Sequence, residues 1–509
     1  MKLGDLASRL PQKVILGDPA VEVTGLAYHS KGVKEGFLFA AMRGLRADGK
    51  NFIPEACARG AIALLVPEPA EASGLAQVVV PDVREALGRM ASVFYDDPSS
   101  SLTLVGITGT NGKTTTSYLL ESIFTEDGKK TGVMGTVNYR FQNQILPAAT
   151  TTPESLDLQK ILAAMRESGV THTVMEVSSH ALDLRRVAGC DFNVALFTNL
   201  TRDHLDYHGS MENYFQAKKL LFTHCLQEGG KKNYFSVINA DDPSGEELCR
   251  SACGKILRYG VKARAEVRPE KFAADLDGIR ARIATPRGSL EIASPLIGLH
   301  NLYNLLAAVS AAEVLGVPPA AVERGIRKLA RVPGRLDRVP GEDGIRIFVD
   351  YAHTPDALER SLETLRSARP ARLIVIFGCG GDRDRGKRPT MGQAAGRGSD
   401  WAILTSDNPR TEDPLRILEE VEKGIRETGR PKYPAERLNL KEAQGGYLVI
   451  PDRREAIHRV IGAARPGDVV LIAGKGHEDY QILGTQKIHF DDREEALEAL
   501  KFRKEKGDR

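Results

Sequence analysis

The sequence predicts an α/β protein of three domains. A central doubly wound parallel sheet with a phosphate-binding loop is flanked by an α/β N-terminal domain and a Rossmann-like C-terminal domain. Three observations carry this reading. At 509 residues the chain has room for about three domains, each with its own core. Short apolar runs alternate with helical patterns throughout, as strand–helix–strand units require. Residues 104–116 read LVGITGTNGKTTT, an apolar strand end that runs through a glycine turn into Lys-Thr and the first turn of a helix.

Residues 1–101 form the first expected domain. Apolar runs at 21–26, 37–41, 61–66 and 77–80 read as strands, and 51–59 and 83–95 as helices. Asp96-Asp97-Pro98-Ser99-Ser100-Ser101 is polar, contains proline and reads as a linker. The second domain, 102–333, has strand candidates at 103–107, 173–176, 194–197 and 234–238, and helices over 154–168, 211–226 and 301–315. Arg331-Val332-Pro333-Gly334-Arg335 then breaks the pattern. In the third domain, 334–509, strands are expected at 345–350, 372–377, 401–404 and 468–473. No internal repeat is evident.

Composition narrows the function. A net charge of only +3 gives no global field for nucleic acid or an anionic membrane. The six cysteines are scattered; Cys249 and Cys253 are four apart with no second pair, which argues against zinc, and the irregular spacing argues against a disulfide framework. The N-terminal MKLGDLASRLPQK has no apolar stretch of a signal peptide, and no apolar run approaches the roughly 18 residues that span a bilayer. A cytoplasmic protein without membrane insertion is expected.

The glycine turn explains its own chemistry. Gly109 and Gly112 let successive N–H groups turn inward on phosphates. The helix N-terminus adds its positive end, Lys113 a cation and Thr114 a hydroxyl for Mg²⁺. Ile107 stands where the commoner G-x-x-x-x-G-K-[ST] loop has its first glycine. A plain glycine-rich turn is the alternative, but the flanking strand and helix favour an ATP site. Glu176 follows directly on the apolar run 173–175, where an open α/β sheet places ligands, and His204 follows the next strand. Both could hold Mg²⁺, which takes one or two protein groups and keeps waters; salt-bridged loop residues are the other reading.

Six motifs in order, GTNGKTT (109–115), EVSSHAL (176–182), TNLTRDHLDYHG (198–209), GLHNLYN (298–304), GRLD (334–337) and DYAHTPDAL (350–358), resemble the Mur ligases of peptidoglycan assembly. The resemblance covers essentially the whole chain. Within that family, DNPR (407–410) and GKGHEDYQ (474–481) are similar to members that add meso-diaminopimelate to UDP-N-acetylmuramoyl-L-alanyl-D-glutamate. What the resemblance implies is an ADP-forming amide ligase. ATP phosphorylates the acceptor carboxylate, and an amine attacks the acyl phosphate through a tetrahedral intermediate. Such a reaction needs cations around the phosphates and a clamp that aims the amine. Small-molecule substrates, no nucleic acid and a monomeric state are further implications.

The resemblance also implies site residues. Gly109, Thr110, Asn111, Gly112, Lys113, Thr114 and Thr115 would hold the ATP phosphates. Thr114 and Glu176 would ligate one Mg²⁺ and His204 a second, whose further ligand in this family is a lysine carbamylated by CO₂. Alignment selects Lys218 for that role; Lys219 is its rival, and residue type alone places both on the solvated surface. Lys113, Glu176, His204 and Lys218 are thus the catalytic set. His300, Asn301 and Asn304 match the adenine site, since amides offer both donor and acceptor to a base edge, although Asn301 could equally cap the helix starting there. Arg335, Asp350 and His353 are the C-terminal domain's contribution to the nucleotide, so that ATP would draw domains together.

The UDP-sugar acceptor falls to Ser30 and the loop residues Leu45, Arg46 and Ala47 of the N-terminal domain, and to Thr151, Thr152, Ser178 and Arg186. Arg46 is either a diphosphate partner or an ordinary exposed arginine. Leu184 departs from the glutamine that relatives often carry two residues before the matching arginine. For the amino acid, Asp407, Asn408, Pro409 and Arg410 form the matching turn, with Arg383 a second candidate cation. A guanidinium can grip the extra carboxylate that distinguishes diaminopimelate from lysine. Glu478 would pair with an ammonium and Gly474 would permit close approach. Alone, DNPR is an ordinary turn.

Three rivals accompany this reading. The lysine-adding ligase of the family differs only in the amino acid. A folylpolyglutamate-type ligase shares the nucleotide core but should lack a UDP-binding domain, whereas about 100 residues precede the loop here. A nucleotide switch without chemistry would have no use for a carbamylated lysine.

Overall fold

A computed structural model describes residues 1–44, 47–71, 74–341, 344–434 and 445–507, so the expected diphosphate residues Leu45 and Arg46 lie outside the described residues. The chain divides into two compact units. One comprises 1–271, 281–292 and 303–328, the other 272–280, 293–302 and 329–509. Among the described residues no helix is long and apolar enough to cross a membrane.

The first unit contains two sheets. The N-terminal one runs Val14–Leu16, Ala76–Val79, Ala61–Val66, Phe37–Ala40, Gly25–Ala27, parallel except for the first pair. Ala61–Val66 is apolar along its length because both faces are covered, by the cores around Leu38, Leu65 and Met90 and around Phe39, Leu64 and Ile53. Three expectations change here. The run 21–26 is split: Glu22 bridges Lys2, and only Gly25–Ala27 joins the sheet. The helix expected over 51–59 is a 3₁₀ turn, Gly49–Phe52, followed by Ile53–Ala58, with Pro54 in the first helical turn where its missing N–H costs nothing. The expected linker is no free tether. Pro98 and Ser99 are buried, and the Ser99 hydroxyl accepts the Asp191 N–H at 3.0 Å.

The central sheet has eight strands, in the order Lys255–Tyr259, Phe235–Asn239, Val194–Phe197, Thr103–Thr108, His172–Glu176, Thr131–Met134, Asn138–Phe141, Gln144–Pro147. The first six are parallel and the last two are antiparallel, a hairpin edge that periodicity did not foretell. The strand order reverses at Thr103–Thr108, which lies between His172–Glu176 and Val194–Phe197. Such a switch point opens a crevice at the strands' carboxyl ends. The helix expected over 211–226 is α-helical for Met211–Leu220 and continues as a π turn, Leu221–Cys225. Three more strands, Arg268–Asp275, Gly278–Thr285 and Gly288–Ser294, precede the helix Leu299–Val314.

In the second unit a six-stranded sheet runs Asp337–Val339, Arg346–Asp350, Asp468–Ala473, Arg372–Phe377, Trp401–Leu404, Gly446–Val449, with only the first pair antiparallel. Cores around Phe348, Val375 and Leu404 and around Ile374, Ile403 and Ile472 cover its two faces. Behind the carboxyl end of Asp468–Ala473 lies a fully buried ion pair. Arg453 donates to both Asp492 oxygens at 2.7 Å and to the Ala473 carbonyl at 2.9 Å. Breaking such a pair strands a charge, so Asp492→Ala should lower the unfolding free energy by about 3–5 kcal/mol in denaturant titrations.

Candidate functional site

Strand register builds the first cluster. Glu176 pairs with Ile107 and Phe197 with Thr108, so the residues that follow three neighbouring strands emerge side by side. Gly109 has a φ of 144°, and a Cβ there would come within 1.9 Å of the Thr198 hydroxyl. Gly112, with φ 90°, likewise leaves room for the Asn304 amide oxygen, which a Cβ would meet at 2.3 Å. Only glycine satisfies both the dihedrals and the space. Asn199 holds the loop from the neighbouring strand end. Its side chain accepts the Asn111 N–H at 3.0 Å and donates to the Asn111 carbonyl at 3.1 Å. The Thr110 N–H goes to the Asn199 carbonyl at 2.8 Å. Lys113 donates to the Gly109 and Thr110 carbonyls, each at 2.9 Å, while Thr114 and Thr115 are buried in the first helical turn.

The predicted metal residues gather around this loop. The Thr114 hydroxyl donates to Glu176 Oε2 at 3.1 Å. Thr136 grips the same carboxylate with its N–H on Oε1 at 3.1 Å and its hydroxyl on Oε2 at 2.9 Å. The two lysine candidates differ in placement. Lys218 is 1% exposed, donates to the Gly109 carbonyl at 3.0 Å and lies 4.4 Å from the Tyr214 ring centre. Lys219 sits at the surface against Glu247, 3.1 Å away. Burial, reinforced by nearby Lys113, pushes the Lys218 ammonium well below its ordinary pKa and so favours the free amine. His204 adopts a left-handed φ of 53°, and burial pushes its imidazole down too. It packs edge-on against His180, 4.8 Å between ring centres, and lies 6.1 Å from Tyr214.

The residues expected at the acceptor divide. Thr152 is buried; its hydroxyl donates to the Glu176 carbonyl at 2.9 Å and accepts the Ser178 N–H at 3.1 Å, while its own carbonyl accepts from Arg186 at 3.1 Å. Thr151 lies 3.2 Å from the Thr136 hydroxyl, and Ser178 caps the short helix Ser179–Asp183. A cavity of about 510 Å³ opens beside Thr150 and Arg186, bounded by Tyr28, Tyr139 and Glu154. Ser30 is buried on Glu55 at 2.8 Å and Ala47 is exposed. Asn301 does not cap its helix. The helix begins at Leu299, and the Asn301 amide donates back to the Ile297 carbonyl at 2.8 Å. Nearby His300 is pushed down to about 4 by burial.

The second unit carries its own cluster at its strands' carboxyl ends. Asn408 donates to Glu478 Oε2 at 2.8 Å and accepts the Ile482 N–H at 2.9 Å; Gln481 donates to the Asp407 carbonyl at 2.7 Å. The DNPR turn is thereby sewn to GKGHEDYQ. Gly474, with φ 115°, lies where a Cβ would reach the Asp407 carboxylate at 2.5 Å. Pro409 is buried, and Arg410 holds a left-handed φ of 52° with its guanidinium on the Gly381 carbonyl at 2.7 Å. Arg383 is exposed on the loop beside Gly380, which Arg410 also lines. Burial and neighbouring Asp407 raise the Glu478 pKa; Lys475 opposes them. Arg335 lies 5.1 Å from the centre of the Tyr351 ring, which packs against His353 and His477. Asp350 spends its oxygens on the Leu336 N–H at 2.6 Å and the Ser361 hydroxyl at 3.2 Å, so it shapes the turn beside Arg335.

Sequence reading missed Thr136, Asn199 and Lys475. Asn199 and Lys475 stand inside the motifs TNLTRDHLDYHG and GKGHEDYQ, and Thr136 follows the apolar pair Val133-Met134 by one glycine, which was the available signal. The squeeze on Gly109 makes Gly109→Ala a sharp test. Nucleoside triphosphate affinity should fall roughly tenfold or more in calorimetric titration, the equivalent of about 1–3 kcal/mol of backbone strain.

Three family models match in succession: "Mur ligase family, catalytic domain" over 22–95, "Mur ligase middle domain" over 107–312 and "Mur ligase, glutamate ligase domain" over 334–476. The chain is 48% identical over 509 residues to the UDP-N-acetylmuramoyl-L-alanyl-D-glutamate–2,6-diaminopimelate ligase of Geobacter metallireducens, covering 100% of both. It is 43% identical to the protein of that name from Geobacillus thermodenitrificans, over 99% of this chain and 100% of that one. A solved structure of a ligase with the same name superposes with a TM-score of 0.72 at 34% identity, over 99% of each chain. The Thermotoga maritima MurF ligase in complex with ADP shares the fold, with a TM-score of 0.60 at 21% identity. The mixed α/β architecture, its parallel-rich sheets and its three successive family domains are those of the Mur ligases, ATP-dependent enzymes, and the chain belongs to that family.

Proposed function

We propose that the chain is the ADP-forming ligase that joins meso-diaminopimelate to the D-glutamate carboxylate of UDP-N-acetylmuramoyl-L-alanyl-D-glutamate, in the cytoplasm and as a monomer, for peptidoglycan precursor synthesis. We place its domains at 1–101, 102–333 and 334–509. One observation carries the choice of amino acid. The turn holding Arg410 is bonded through Asn408 to Glu478, which supplies an anion for an ammonium and a guanidinium for the second carboxylate in one pocket.

The loop amides of 109–115 and Lys113 would cradle the β- and γ-phosphates and stabilise charge as the γ-phosphoryl moves to the acceptor carboxylate. Thr151, Thr152, Ser178 and Arg186 would hold the acceptor, with Ser30, Leu45, Arg46 and Ala47 on its nucleotide. His300, Asn301, Asn304, Arg335, Asp350 and His353 are assigned to adenosine. Thr114 and Glu176 are hard oxygen donors of the kind Mg²⁺ prefers. Lys218 is buried with its amine driven towards the neutral form that adds CO₂, releasing a proton and leaving a carbamate. That carbamate and His204 would serve a second ion. Bound Mg²⁺ neutralises phosphate charge. The amine, clamped by Glu478, Arg410 and Gly474 with Arg383 at the rim, would then displace phosphate.

Phosphate release with ATP and the UDP-dipeptide should depend on diaminopimelate and be at least about tenfold slower with lysine, one guanidinium–carboxylate contact being worth about 1.5–3 kcal/mol. Faster turnover with lysine would sink the assignment. Lys218→Ala should be nearly inactive and partly rescued by a small carboxylic acid such as acetate, while ¹³C-bicarbonate labels only the parent protein.

A further inference from the structure

Lys475 has no place in the scheme above, yet it is one of the most thoroughly buried charges in the second unit, with 0% exposure. It follows the strand Asp468–Ala473 and Gly474. Its carbonyl accepts the Glu478 N–H at 2.9 Å, which closes the 475–478 turn. Its ammonium donates to the Tyr480 carbonyl and lies 3.6 Å from Glu478 Oε2. A carbonyl needs only a neutral donor. A buried ammonium is costly to desolvate unless a charge faces it.

The charged and titratable groups around Glu478 come from four directions. Asp407 and Arg410 belong to the turn after Trp401–Leu404, Tyr351 to the loop after Arg346–Asp350, and Arg453 to the helix Arg453–Ala463; Tyr480 and Lys475 flank Glu478 in sequence. Arg453 is committed to Asp492, and the Arg410 guanidinium reaches the Gly381 carbonyl. Glu478 therefore has one fully buried cation close by, Lys475 at 3.6 Å, with Asp407 as a neighbouring like charge and the less buried Arg410 as a second cation. With Arg410 assigned to the ligand's second carboxylate, Lys475 is the cation that remains to keep Glu478 ionised, and an ionised Glu478 is what an ammonium ligand pairs with.

We propose that Lys475 is a positioning residue for amino-acid recognition: its buried ammonium, 3.6 Å from Glu478, holds that carboxylate ionised and oriented to receive the substrate ammonium. This rests on the reading of the pocket as the amino-acid site. Burial and Asp407 already pull the Glu478 carboxyl towards its neutral form, and Lys475 and the Asn408 amide hold it back. Without Lys475 the proton would bind at higher pH, so the acid limb of the profile should move up.

The test is Lys475→Met, with Lys475→Gln retaining a donor for the Tyr480 carbonyl. At neutral pH the KM for diaminopimelate should rise about tenfold, and the acid limb of kcat/KM should shift to higher pH, while KM for ATP and the UDP-dipeptide stay within about twofold. In a Glu478→Gln background the added loss should fall below about twofold, because both changes remove one interaction. Profiles superimposable on the parent's, or fully additive losses, would overturn the inference and reduce Lys475 to an anchor of the Tyr480 carbonyl. If Glu478→Gln alone leaves the diaminopimelate KM unchanged, the pocket assignment itself fails.

Discussion

Two ammonium groups, those of Lys113 and Lys218, converge on one carbonyl, that of Gly109. The convergence is possible because Gly109 adopts a φ of 144° and has no side chain to collide with Thr198. Around that carbonyl the remaining parts follow. The helix starting at Lys113 points its N-terminus into the loop, Asn199 fixes the loop from one neighbouring strand, and Glu176 lines it from the other. Two like charges beside one oxygen also explain the state of Lys218. Burial and Lys113 both disfavour its ammonium. The same crowding gives Lys218 an environment that an exposed lysine lacks.

The second unit solves a related problem with opposite signs. Asp407 and Glu478 are brought together by the DNPR turn and the loop after Asp468–Ala473, and buried Lys475, 3.6 Å from Glu478, offsets the push of Asp407 on that carboxylate. Beneath that loop the Arg453–Asp492 pair holds the Ala473 carbonyl, so the strand end before the loop is tied to the core by charge as well as by apolar packing. Both clusters stand at the carboxyl ends of parallel strands, where chain segments distant in sequence emerge as neighbours.

Much of this was legible beforehand. Val194–Phe197 and Trp401–Leu404, and all but the first residue of Arg372–Phe377 and Asp468–Ala473, are continuous apolar runs because both faces are covered, and such runs announce themselves. The short edge elements did not. Val14–Leu16 is three residues long and largely exposed, and Gln144–Pro147 is exposed throughout, so neither carries a periodicity to read. The packing of 96–101 was hidden for a similar reason: polar residues and proline describe a turn equally well whether or not it packs against its neighbours.

What the sequence determined by itself was chemistry in local order: a loop of glycines, lysine and threonines opening a helix, a carboxylate ending a strand, and an Asn-Pro-Arg turn. Each depends on residues within a few positions of one another. What only the tertiary structure decided was partnership. It buried Lys218 and left Lys219 at the surface, set Thr136 and Asn199 as the supports of Glu176 and the loop, and made Lys475 the companion of Glu478. Burial and charge balance are sums over segments up to about 100 residues apart, as Lys218 and Gly109 are, and no local window contains them.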